Sequence, residues 1–210
     1  MPIHVDAYMA GGVASGMVDR AGQLRDLLET STDFSIVQTS WQSLDGAPPQ
    51  AADSLTLPVD EVLVVVSDDD PYHSMHAAWH GITLVVGPYV VAGELPTLPG
   101  FDPGRALTRP SGEFVMLRDV RLGLVGDDET VTVPHALINR YGVDKVTADI
   151  MLGFFFPGAA MDESDLAPTT LAAGAPLPAA SLAASPAVLP EAAAETETEL
   201  EPAYAPEPLI

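Results

Sequence analysis

Cysteine is absent from the 210-residue chain, and cations are scarce: 8 Lys and Arg stand against 30 Asp and Glu. The first absence excludes disulfides, thiolate catalysis, cysteine-ligated zinc and iron–sulfur clusters. It does not identify a compartment. The second gives a formal net charge of −22. A surface of that sign repels phosphate backbones and anionic lipid headgroups, so neither nucleic acid nor a membrane is expected as a partner. Long apolar runs are missing too. The longest, at residues 62–66 and 151–157, fall far below the roughly 20 residues of a spanning helix. The opening MPIHVDAYMAGG has neither a basic region nor a long apolar one. No secretory signal is therefore expected, and the default location is the cytoplasm.

Motifs of nucleophilic and phosphate chemistry are also lacking. No G-x-S-x-G, G-x-x-x-x-G-K-[ST] or G-x-G-x-x-G occurs, and the VASG at 13–16 has no strand–turn–helix context for a nucleophile elbow. No cofactor and no enzymatic activity are expected from these residues.

Composition divides what is present. Residues 157–210 hold 16 Ala and 9 Pro, nine acids and no cation, with Tyr204 as the one aromatic. Such a stretch buries too little apolar surface to offset chain entropy, which predicts a disordered acidic tether. Its tip, EPAYAPEPLI, carries Tyr204, Leu209 and Ile210 as a candidate docking peptide for a partner groove. The remaining body, residues 1–156, is large enough for an ordinary core without staples.

Within the body, period-two alternation dominates. Residues 3–10 place Ile3, Val5, Ala7 and Met9 on one strand face, and Gly11-Gly12 turns into a second strand at 13–18. Leu24, Leu27 and Leu28 fall on one face of a short helix at 23–30. Residues 34–44 read as a strand with Phe34, Ile36 and Gln38 on one face and Val37, Thr39 and Trp41 on the other. Residues 46–53 read as a loop and 55–66 as a single strand. The order then recurs. Residues 82–95 are strand material broken at Gly87-Pro88, 96–103 a proline-rich connector, 104–107 a short helical turn. Strands follow at 114–125 and 131–139, with a last apolar segment at 143–156.

Set side by side, Gly16 matches Gly93, Phe34 matches Phe114, and Leu57-Pro58-Val59 matches Val133-Pro134-His135. This predicts an internal duplication of a β-rich unit of about 70 residues. The expected architecture is mainly β: two related small β-barrel or sandwich units, 1–70 and 71–156, with one or two short helices and a disordered tail at 157–210. The layout of residues 23–28, 34–37 and 57–66, repeated at 114–120 and 133–138, resembles uncharacterised bacterial small β-barrel domains that are loosely Sm-like. That resemblance implies a small binding or regulatory module. The RNA-binding role of Sm-like proteins rests on basic and aromatic loops, which this chain does not match.

Two clusters carry candidate chemistry. His73, His76 and His80 follow Asp68, Asp69 and Asp70, and imidazoles with a carboxylate suit zinc, nickel or iron. Arg105, Arg109, Arg118 and Arg121 concentrate half of the basic residues in one segment, and guanidinium forks suit carboxylates and phosphates. The spacing of Arg105 and Arg109 is similar to the RxxxR that opens PilZ domains, a resemblance that implies cyclic di-GMP binding. The D/N-x-S-x-x-G that continues that family is not matched, since Arg121 stands for the serine and Leu124 for the glycine. Pairing of these arginines with Glu94, Asp102, Glu113 and Asp119 is the simpler expectation.

The leading expectation is a non-enzymatic protein-binding adaptor or structural accessory acting through sheet edges and the tail, with protein partners that include a second copy of the chain. The alternatives are an anionic-ligand sensor using Arg105 and Arg109, and a metal-dependent enzyme using the three histidines.

Overall fold

Alternation in the first residues becomes a hairpin. Strands β1 (Pro2–Met9) and β2 (Gly12–Asp19) pair antiparallel across the two-residue turn Ala10-Gly11, and Val5, Ala7, Ala14 and Val18 point into the core. Helix α1 (Leu24–Thr30) follows, burying Leu24 and Leu28 as its spacing predicts. Then come β3 (Asp33–Ser43), β4 (Gln50–Pro58), a 3-10 turn at Val59–Glu61 and β5 (Val62–Ser67). The second half runs β6 (Ala78–Val86), β7 (Tyr89–Thr97), β8 (Phe114–Leu124), β9 (Thr130–Asn139), a 3-10 turn at Arg140–Gly142, β10 (Val143–Ala148) and β11 (Ala160–Met161). This is a computed structural model, and it describes residues 2–19, 22–69, 77–97, 112–148, 150, 152 and 155–161.

All eleven strands among the described residues belong to one sheet, ordered β11-β10-β6-β7-β8-β9-β5-β1-β2-β3-β4. The neighbour order of the first half, β5-β1-β2-β3-β4, recurs in the second as β10-β6-β7-β8-β9. Details recur with it. Val62 and Val143 both close a 3-10 turn with φ −83° and ψ 122°. Each of β5 and β10 slips register one residue later, so that Val64 and Val65 face Tyr8 and Ala7 as Lys145 and Val146 face Val85 and Leu84. Gly16 and Gly93 both sit at register shifts, each facing a strand that carries a left-handed residue. Pro58 and Asn139 each stand immediately before a 3-10 turn, and Ile36 and Leu117 are each buried two residues before the left-handed residue of their strand.

The expected barrels do not close. Among the described residues no ladder joins β4 to β5 or β9 to β10, and the sheet is open. The free edge of β5 is instead taken by β9, with Val64 opposite Ile138 and Val65 opposite Leu137. Each half still gathers its own core. One apolar cluster joins β1–β5 and α1, the other β6–β10 with Leu152 and Phe156. The joint is shared: Val64 packs into the second cluster, and Phe114 and Leu137 pack into the first.

Three local expectations fail for identifiable reasons. Residues 55–66 are two strands, because Pro58 lacks a donor and hands the chain to the 3-10 turn that separates β4 from β5. Residues 50–53, read as loop, belong to β4. On β3 the phase flips at Gln38, whose φ of 53° turns the following residue inward, so Thr39 and not Gln38 is buried with Phe34 and Ile36. The sheet also continues past residue 156: Phe156 is buried, Gly158 turns with φ 88°, and Ala160–Met161 pair parallel with Lys145–Val146. The helical turn expected at 104–107 lies outside the described residues, as does the chain from 162 onward.

Candidate functional site

Strand order decides which polar residues meet. Glu94 on β7 faces Arg118 on β8 directly across the ladder. The Arg118 Nη2 lies 2.6 Å and its Nε 2.7 Å from Glu94 Oε2, with Asp119 Oδ2 3.6 Å away. The guanidinium also stacks 3.6 Å over the Trp79 ring of β6. Its charge is thus matched within the protein, as the simpler sequence expectation holds. Arg121, three residues after Arg118, is exposed and lines an open groove of about 510 Å³ with Gly81, Thr83, Ala92, Glu94, Asp119 and Thr147. Among the described lining residues two carboxylates, Glu94 and Asp119, share that groove with Arg121, which is a poor field for an anion. Arg105 and Arg109 lie outside the described residues.

Of the histidines, His73 and His76 lie outside the described residues. His80 is the third residue of β6, and its Nε2 is 3.0 Å from the Thr97 hydroxyl, a neutral partner. Among the described residues no group of three His, Asp or Glu side chains could hold a metal. Tyr204, Leu209 and Ile210 also lie outside the described residues. No described helix is long and apolar enough to cross a membrane.

Two features escaped the sequence reading. Arg140 is 2 % exposed and takes the place in its 3-10 turn that Val59 takes in the other. Its Nη1 donates to Gly112 O at 3.5 Å and its backbone N–H to Glu113 O at 2.9 Å. The second is a tyrosine pair at the junction of the halves. The Tyr89 hydroxyl reaches Met9 O at 2.9 Å and Gly12 O at 3.3 Å, and Tyr8 packs edge-on at 5.4 Å. Burial, with the neighbouring Tyr8, pushes the Tyr89 hydroxyl up to about 12. Tyr8 is raised by burial and then by Asp6. Neither tyrosine carries a spacing signal; only the fold brings them together.

The surface best formed for recognition is at the other end of the sheet. β4 is the terminal strand, so its outer N–H and C=O groups meet no strand among the described residues. Its residues Gln50–Ser54 are all exposed. Beside it runs a groove of about 460 Å³ lined by Met9, Trp41, Leu55, Leu57 and Pro58, with Thr39 and Glu61 at its polar margin. An unpaired edge with apolar side-chain space alongside is the arrangement that accepts an added strand.

Comparison with protein families, with curated proteins and with solved structures found no match for the chain.

Proposed function

We propose that this chain is a non-enzymatic protein-binding module, an adaptor or structural accessory, that recruits an extended segment of its partner by strand addition at β4. The observation that carries the reading is the open β4 edge with the Met9–Trp41–Leu57 groove beside it. Main-chain hydrogen bonds along β4 supply affinity, and the groove selects an apolar side chain at alternate positions of the guest. The strongly acidic chain favours guests that carry Lys or Arg, with the Ala/Pro-rich residues 162–210 serving as a tether. The repeated strand order supports duplication of one β-rich unit as the origin of this sheet. In that reading the cytoplasm is where the module works.

The test is a library of extended peptides screened against the full chain, with amide hydrogen exchange locating the bound guest. Binding that protects β4 and is lost in Thr56→Lys supports the reading, because a lysine on an edge strand opposes pairing. Guests that protect other strands, and bind Thr56→Lys equally well, remove it. Of the residues that the alternative readings invoke, Arg105, Arg109, His73 and His76 lie outside the described residues, whereas Arg118 is ion-paired and His80 has a neutral partner.

A further inference from the structure

The repeated architecture makes one joint in the sheet informative about both of its ends. On β5, Val64 and Val65 receive β9 through Ile138 and Leu137. The positions that correspond on β10 are Lys145 and Val146, by the shared φ and ψ of Val62 and Val143 and by the shared register slip. Those two residues are the ones that Ala160 and Met161 cover. On the other side, the positions of β4 that correspond to Ile138 and Leu137 are Leu57 and Thr56, counted back from Pro58 and Asn139. Thr56 lies on the open edge. The chain therefore carries one used copy of a strand-to-strand joint and, at its two sheet ends, the separated halves of a second.

We propose that β11 is a removable edge cap, and that its release lets β10 accept β4 of a second copy of this chain. The added strand runs antiparallel, as β9 does on β5, with Lys145 opposite the second copy's Leu57 and Val146 opposite its Thr56. Because the two surfaces differ, the contact is head-to-tail and propagates into a ring or a filament. The cap is suited to release. It is two residues long, it pairs parallel where the internal joint is antiparallel, and Ala160 is exposed. The intermolecular joint is also weaker than the internal one. Asn139 Nδ2 donates to Val62 O at 3.1 Å within the chain, and Pro58, its counterpart on β4, has no side-chain donor. A weak joint facing a short cap is a competition that sequence changes in either strand can tip.

This inference rests on β4 being a strand acceptor, the reading given above, and it adds which strand and which control. Sedimentation velocity of the full chain over a concentration series tests it, with Ala160→Pro and Met161→Asp as two independent uncapping variants and circular dichroism as the check on folding. Both variants are expected to form dimers and larger species at concentrations where the unmodified chain stays small, and adding Thr56→Lys returns them to the size of the unmodified chain. Folded uncapped variants that do not associate overturn the proposal, and association that survives Thr56→Lys overturns it as well. If β4 still binds library peptides in either case, the cap inference fails alone and the strand-addition reading stands. Should both variants misfold, the unmodified chain decides through a synthetic peptide of residues 50–58. Faster exchange at Ala160 and Met161 when the peptide is present at millimolar concentration supports the cap; unchanged exchange there sinks it.

Discussion

Gln38 and Asp119 share one backbone conformation, left-handed with φ of 53° and 50°, at corresponding places on β3 and β8. They are the non-glycine residues with positive φ among those described, and each adjoins a strand that carries a glycine at a register shift. In each half the left-handed residue and the glycine thus meet on neighbouring strands at an irregularity of the ladder. Bulges increase local twist and bend the strand that carries them.

The glycine at that bend is expected to be intolerant of a side chain. A Cβ on Gly16 would lie 2.6 Å from Ile36 Cγ2 and 2.7 Å from Val37 O, whereas one on Gly93 meets Arg118 O at 3.0 Å. Gly16→Ala should cost about 2–3 kcal/mol through overpacking, and Gly93→Ala about 1 kcal/mol. Urea unfolding of both variants checks the order; equal costs would show that the tighter approach at Gly16 has no energetic consequence.

Tyr89 predicts an alkaline limit to stability. Its hydroxyl titrates near 12 in the folded chain against an ordinary value of 10.0. The raised value means the neutral form is favoured by folding. The contribution is complete below pH 10, declines as the pH rises between 10 and 12, and is gone above that. Tyr89→Phe should lose about 1–2 kcal/mol at pH 7 with the bonds to Met9 and Gly12, yet fall less steeply between pH 10 and 12. Parallel melts of the two proteins across that range are the measurement.

The Arg118–Glu94 pair should matter little to stability. Both side chains are partly exposed, at 36 % and 41 %, and exposed pairs contribute about 0.2–1 kcal/mol. A double-mutant cycle with Arg118→Ala and Glu94→Ala is expected to give a coupling in that range, shrinking further in 1 M salt. A coupling several times larger would mean that the Trp79 stack shields the pair from solvent.

Asn139 should matter more than its size suggests. Its amide nitrogen bonds Val62 O across the joint between the halves, and its oxygen accepts from Tyr141 N–H at 3.0 Å in the 3-10 turn. Asn139→Ala removes both and leaves a buried carbonyl short of a partner, a loss of about 2–3 kcal/mol. Thermal unfolding reads it directly, and a shift of under a degree would contradict the joint as described.

Much of this fold was legible in the residues. Alternation at Val5, Ala7 and Met9, the Leu24–Leu28 face of α1 and the break in strand material at Gly87-Pro88 all follow from local periodicity and turn chemistry. These determined a mainly β chain. Tertiary structure alone decided where the strands go. The phase flip at Gln38 depends on a backbone conformation that glutamine does not advertise, and Val64 opposite Ile138 is a contact between residues far apart in sequence. The open β4 edge and the cap on Lys145–Val146 follow from that pairing. Period-two patterns specify which face of a strand is buried but not which neighbour takes its edge, because edge pairing uses main-chain groups that every residue but proline carries in full.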